Sequence, residues 1–200
     1  MAINYQAMLK YVKEKFENSE RANKYPFRNR YKHTLRVKKW AERIQKIEGG
    51  NLEIIKIACI FHDVGWDEKV SHNIISKRIA RDYLNKINYD NSKTKRVLEA
   101  IEHHCLRDVE KSLAMENYIV MDADLLDEVG AISIIWDAMA SAYEDQPSYL
   151  KAYHRIKRFT LEIKEKQQQL KTATGKRYYQ KKIEFIDGFI RELGHELLIE

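Results

Sequence analysis

Proline is nearly missing from this chain and glycine is scarce: 2 Pro and 7 Gly in 200 residues. So few turn-forming residues disfavour a fold of many tight reversals and favour a predominantly helical protein. Cysteine is equally rare. Cys59 and Cys105 both sit in apolar segments, which reads as reduced, buried thiols and a cytoplasmic setting, although counting leaves open that the two pair. No apolar run approaches the roughly 18–20 residues that cross a bilayer, so no membrane is expected as a partner. Met1 to Glu20 alternates apolar with charged residues and has no secretory core. No alternating strand of convincing length, internal repeat, low-complexity segment or linker interrupts the chain.

What is present points to one domain. At 23.8 kDa, with 44% hydrophobic and 33% charged residues, the chain is long enough to bury a substantial core. The net charge of +6 and pI near 9.1 favour anionic partners such as phosphates or nucleic acid. The Lys and Arg residues are dispersed and interleaved with 30 acidic residues, so a generally basic, solvated surface is preferred over a nucleic-acid footprint. Self-association is left open.

Helical spacing recurs from end to end. Met1 to Phe16 forms an amphipathic helix with Ile3, Met8, Tyr11, Val12 and Phe16 on one side, and Asn18 to Arg28 is a loop containing Pro26. Asn29 to Glu48 returns to helix, with Val37, Trp40, Ile44 and Ile47 on one stripe and His33 on the same face. Gly49-Gly50 stops it, and Asn51 caps a buried helix from Leu52 to Phe61. Further helices are expected over Asn73–Ile87, Thr94–Cys105, Tyr118–Val129 and from Gly130 through Ile134, Ile135, Ala138 and Met139. Arg107 to Leu113 reads as a loop. Two long helices close the chain, Tyr149–Leu170 and Tyr178–Leu198, separated by a break at Thr172-Ala173-Thr174-Gly175. The expected architecture is a single all-α domain.

The chain is organised around Ile57 to Trp66. An apolar run ends in the adjacent pair His62-Asp63, followed by Gly65, which is expected to supply a left-handed helix cap. A histidine and a carboxylate at the dry end of a core helix need compensation. A divalent cation would provide it, and so would a hydrogen bond within the pair. Two more polar groups stand at otherwise apolar positions: His33 on its inward stripe, and Asp124 behind Ile119-Val120-Met121. Two imidazoles and two carboxylates suit Mn²⁺, Fe²⁺, Co²⁺, Ni²⁺, Zn²⁺ or Mg²⁺, and leave about two positions of an octahedral ion for water or substrate. Asp122 and Asp127 compete with Asp124 as the fourth ligand. Asp127 suits a capping or bracing role, and His103 reads as a surface residue.

His33, the His62-Asp63 doublet and Asp124, in that order on a helical chain, resemble the H…HD…D signature of the HD-domain superfamily of metal-dependent phosphohydrolases. The flanking blocks His33-Thr34-Leu35-Arg36-Val37, Ala58 to Gly65 and Asp122 to Ile132 are similar to that family's. His72 with Ser76 and Ala80, His104 after Ile101, His154 with Lys157, and Lys171 to Lys176 resemble secondary blocks of its small, uncharacterised single-domain bacterial members, so the likeness runs from about Tyr25 to Glu196. The resemblance implies one HD domain over 1–200, with a core at about 25–140 and a helical pair at about 149–198. It implies one divalent metal held by His33, His62, Asp63 and Asp124. It implies hydrolysis of a phosphate ester or phosphoanhydride of a small molecule, a nucleotide above all, by a metal-activated water. Asp63 would orient that water. His104, His72, His154 and Lys157 are candidates for protonating the leaving group or holding phosphate, and Arg36 for bracing the site or touching phosphate. Many members carry a lysine three residues after the doublet, where this chain has Trp66; Asp67 and Glu68 follow, and Asp67 is the acidic candidate there. That missing cation keeps alive a non-catalytic module binding nucleotide or nucleic acid. A cyclic-nucleotide phosphodiesterase is a third reading, with His72 and His104 serving a second metal.

Overall fold

The structure is a computed structural model and describes residues 3–19, 29–66, 68–106 and 112–199. Among these residues the regular structure is all helical, with nine α-helices, one short 3₁₀ turn and no strand. The chain divides into two compact units, Met1–Asp124 and Leu125–Glu200.

The first unit contains α1 (Tyr5–Glu17), α2 (Arg30–Glu48), α3 (Leu52–Phe61), α4 (His72–Lys86), α5 (Asn91–His103) and the part of α6 (Met115–Asp127) up to Asp124. Short polar side chains start most of them. Asn4, Asn29, Asn51 and Asp90 each accept a hydrogen bond from a first-turn backbone N–H, and such a cap contributes about 1 kcal/mol. Gly49 and Gly50, at φ +84° and +85°, end α2 in a conformation that a side chain would strain. The central element is α3, which packs against α1, α2, α4 and α5. Ile54, Ile55, Ile57, Ile60 and Phe61 are completely buried, each worth about 1.5–3 kcal/mol over the exposed state. A second cap tightens its start: the Asn51 backbone N–H donates to Glu116 Oε1 at 2.7 Å, and Arg96 Nη2 donates to the same oxygen at 2.6 Å.

The second unit holds the rest of α6, then α7 (Ala131–Ser141), α8 (Tyr149–Lys166), the 3₁₀ turn Gln167–Gln169 and α9 (Ala173–Glu196). α8 and α9 form a hairpin that also packs on α7. Tyr153, Ile156, Tyr179, Ile183 and Ile186 are its dry seam, so the expected stripe of the last helix is a packing surface within the unit.

Several sequence expectations need correction. Gly65 is not left-handed; positive φ is confined, among the described glycines, to Gly49, Gly50 and Gly130. Glycine is required there by contact instead, because an added Cβ would lie 2.4 Å from the Ser76 backbone nitrogen and 2.6 Å from Ile75 Cβ. The break between the last two helices lies at 170–172, earlier than expected: Thr172 caps α9, accepting from Gly175 N–H at 2.9 Å, and Ala173, Thr174 and Gly175 are already its first helical turn. Ile47 was expected inward and is 58% exposed. The loops expected at Asn18–Arg28 and Arg107–Leu113 fall largely outside the described residues. No helix among the described residues is long and apolar enough to cross a membrane. Cys59 and Cys105 are both thiols, and burial pushes the Cys59 thiol well up from its usual range.

Candidate metal centre

Two histidines are presented by one local device. His62 stands at the C-terminus of α3 and its ring Nδ1 lies 2.7 Å from the Cys59 carbonyl oxygen; His104 stands at the C-terminus of α5 with Nδ1 2.6 Å from the Ile101 carbonyl. A carbonyl can only accept, so each Nδ1 carries the proton and donates it to an otherwise orphaned last-turn carbonyl. Each Nε2 is then left with a lone pair, projected beyond the helix end. The C-terminal ends of two helices carry partial negative charge, which favours a cation in front of them.

The other partners come from α2 and α6. His33 Nε2 lies 3.3 Å from His62 Nε2 and 3.3 Å from Asp124 Oδ1, and His62 Nε2 lies 3.7 Å from the same oxygen. His33 and His62 are buried, and the Asp124 side chain is 13% exposed. Donor atoms sharing one cation at bonds of about 2.0–2.2 Å sit roughly 3.0–3.6 Å apart. Two of the three separations fall in that range and the third, 3.7 Å, lies just beyond it, so the trio can close on a divalent ion with a small side-chain shift. An N/N/O set of this kind suits several first-row metals and does not choose among them. Burial alone would push the Asp124 carboxyl up. The His33 hydrogen bond and the neighbouring His62 and His104 imidazoles overcome that and hold it well below the usual carboxylate range. Burial lowers the His62 pKa and brings that of His104 to about 4, so both imidazoles are neutral near pH 7, the form that ligates.

Asp63 stands beside the trio. Its Oδ2 is 2.8 Å from Arg30 Nη1 and its Oδ1 is 3.7 Å from His72 Nε2. Next to it, His72 Nε2 and His104 Nε2 are 3.1 Å apart, and their ring nitrogens form a second group with Cys105 Sγ whose donor atoms all lie within 4.8 Å of one another. The His62 and His104 rings meet edge to face at 5.1 Å, which joins the two groups.

Of the residues singled out by sequence, the structure therefore gathers His33, His62, Asp63, Asp124, His72 and His104. Asp122 is wholly buried on α6 and Asp127 is also buried; neither belongs to either donor group. Arg36 is exposed on α2. His154 and Lys157 lie on α8 of the second unit, both exposed, with the His154 ring 5.3 Å from that of Tyr153 and Lys157 Nζ 3.1 Å from its hydroxyl. Asp67 lies outside the described residues. Arg30 and Cys105 were missed. Arg30 sits three residues before His33, on the same side of α2, and that spacing was the available signal; Cys105 directly follows His104.

Solved structures share this architecture. A predicted HD-superfamily hydrolase from an uncultured Thermotogales bacterium has 22% identity and a TM-score of 0.70, covering 96% of this chain and 92% of its own. An HD-superfamily hydrolase from Bacillus thuringiensis has 21% identity and a TM-score of 0.76, covering 98% and 97%. YpgQ from Bacillus subtilis, in complex with ADP, has 22% identity and a TM-score of 0.65, covering 96% and 97%. At these identities the likeness establishes the fold. No curated protein matches the sequence. The HD-domain family model matches residues 30–129, from the arginine that pairs with Asp63 to the end of the segment that carries Asp124, and the chain belongs to the HD-domain family.

Proposed function

We propose that this protein is a metal-dependent phosphohydrolase that cleaves a phosphate ester or phosphoanhydride of a small molecule, with a nucleotide as the preferred substrate class. The observation that carries the reading is the convergence of His33 Nε2, His62 Nε2 and Asp124 Oδ1 within 3.7 Å of one another. The HD-superfamily hydrolases of similar fold support hydrolysis, and the ADP complex of Bacillus subtilis YpgQ supports the substrate class.

A divalent cation bound to this trio would bring the pKa of a water from 15.7 to about 7 and offset charge on phosphate oxygens. The chain's own residues do the rest. Arg30 fixes Asp63 through Oδ2, which leaves Oδ1 turned towards His72 and available to accept a proton from the attacking water. His104, neutral with a pKa near 4 and its Nδ1 proton committed to Ile101, offers only an acceptor towards the site. His72 has a side chain 32% exposed and is the better placed of the two to exchange a proton with solvent and pass it to a leaving oxygen. Arg30 also brings a permanent cation to the site, the service that Trp66 does not supply.

The test is a screen of nucleoside mono-, di- and triphosphates and a generic phosphate ester, with Mn²⁺, Mg²⁺ or Ni²⁺ added. Metal-dependent phosphate release is expected, with loss of bound metal in His62→Ala and a rate at least about 100-fold lower in Asp63→Asn. Turnover that survives in both variants removes the proposal. The His72, His104 and Cys105 group favours a second reading, a two-ion phosphodiesterase. Elemental analysis giving two metals per chain, with the second lost in His104→Ala, selects it.

A further inference from the structure

The chain's positive charge is not spread as evenly as the whole sequence suggests. Residues 149–182 carry eleven Lys or Arg against only Glu162 and Glu165, so this stretch holds +9 and the remaining residues together −3. Structurally the stretch is the α8–α9 hairpin. Gln167 Nε2 donates to Gln180 Oε1 at 2.7 Å, so the end of α8 lies beside the first turns of α9. Six basic residues and one acidic residue fall between Lys164 and Lys181, at that one end. Lys164 is paired with Asp187 at 2.7 Å. Lys166, Lys176 and Lys181 are exposed and have no acidic partner among the described residues, and the Arg177 guanidinium lies over the Tyr178 ring at 5.6 Å.

The same end has an open depression of about 470 Å³, lined by Lys164, Glu165, Gln167, Gln168 and Lys176. Among the described residues, Lys176 is the one unpaired ammonium of these five lining side chains, since Lys164 is held by Asp187. Lys166 and Lys181 add exposed charge on the same two helices, and like charges so gathered favour an anion among them. The positive N-terminal end of α9 adds to the field. The chemistry that fits is a chain of phosphates rather than one phosphate ion, because the free cations stand on two helices, Lys166 in the last turn of α8 and Lys176, Arg177 and Lys181 over about 1.4 turns of α9. Carboxamides that both donate and accept suit a ribose 2′-hydroxyl, and a guanidinium stacked on tyrosine offers a planar platform for a base.

We propose that the turn end of the α8–α9 hairpin is a binding surface for single-stranded RNA, separate in its residues from the metal centre. A membrane surface is the alternative polyanion, but the depression is lined by amides and charges and presents no apolar side chain to insert into lipid.

The experiment measures fluorescence anisotropy of a labelled 20-nucleotide RNA against the full chain. The comparison variants are Lys166→Gln/Lys176→Gln/Arg177→Gln/Lys181→Gln and a control with the same charge change on the first unit, Lys10→Gln/Lys39→Gln/Lys46→Gln/Lys86→Gln. All eight side chains are exposed, and circular dichroism checks that both variants stay folded. Four phosphate contacts imply that affinity falls about 50-fold between 50 and 200 mM salt. The hairpin variant should lose at least tenfold in affinity and flatten that slope, while the control changes less than about twofold. Equal losses in the two variants, no RNA binding by the parent chain, equal affinity for the same sequence as DNA, or binding to phosphatidylglycerol vesicles in preference to RNA would each overturn the proposal. Phosphatase activity is not part of the readout, so this result and that of the substrate screen are independent.

Discussion

Asp63 carries two demands at once: a carboxylate must be kept ionised in a buried place, and one of its oxygens must stay available. Arg30 meets both by taking Oδ2 at 2.8 Å. Arg30→Gln removes the cation and leaves the carboxylate unsupported. The expected outcome is a roughly 10–100-fold lower kcat with metal content close to that of the parent, because Arg30 touches none of the His33, His62 and Asp124 donors. Loss of the metal together with activity would assign Arg30 a purely structural role. A second residue-scale prediction concerns Asp137, far along the sequence from the metal ligands. Burial pushes its pKa up to about 6 despite Arg155 Nε at 3.2 Å. The unfolded value is about 3.9, so the folded state holds the extra proton between these limits and this group's contribution to stability falls as pH rises from about 4 to 6. Asp137→Asn should therefore leave the unfolding free energy unchanged near pH 4 and raise it above pH 6, by no more than about 3 kcal/mol. Equal effects at both pH values would contradict the assignment. His33, His62 and Asp124 were legible as polar residues at positions that pattern demands be apolar. Arg30 was not, because an arginine opening a helix looks like any solvated one until its partner is known.

The helices were readable because their caps and stops are written in single residues, such as Asn29, Gly49, Gly50 and Asn51. What sequence could not show was why Gly65 is a glycine. Local pattern reads it as a cap after α3, whereas its role is to let the chain pass within contact of α4, a partner that sequence distance hides. Gly65→Ala forces a Cβ to 2.4 Å from the Ser76 nitrogen, where backbone must move. Destabilisation of at least about 2 kcal/mol is expected from chemical denaturation, together with weakened metal binding, since the shift falls between the His62-Asp63 turn and His72. An unchanged denaturation midpoint would show that the loop accommodates the methyl. The exposed Ile47 marks a second limit: an apolar residue on a periodic stripe states a preference, and only the packing decides which side of α2 is covered.

At the scale of the whole molecule, the two units divide the work. Every donor of the candidate centre belongs to Met1–Asp124, while the concentrated positive charge belongs to the hairpin of Leu125–Glu200. A ligand that binds only the folded state stabilises it by about 2.7 kcal/mol at 100 times its dissociation constant. Saturating Mn²⁺ should therefore slow amide hydrogen exchange in α2, α3 and α5 and leave α8 and α9 unaffected. Uniform protection of both units would mean that they unfold as one. The fold class was open to sequence reasoning, because nearly every segment repeats at helical period and few residues can turn the chain. The uneven charge was hidden by averaging over 200 residues, and became visible once the hairpin brought Lys166, Lys176 and Lys181 to one end.

The most direct measurement is an anomalous difference map from a crystal of the protein soaked in Mn²⁺. It should show a peak about 2.0–2.4 Å from His33 Nε2, His62 Nε2 and an Asp124 oxygen, and none in a His62→Ala crystal soaked identically. A parent crystal with no peak at that position, or with His33 and Asp124 turned away from His62, would contradict the account.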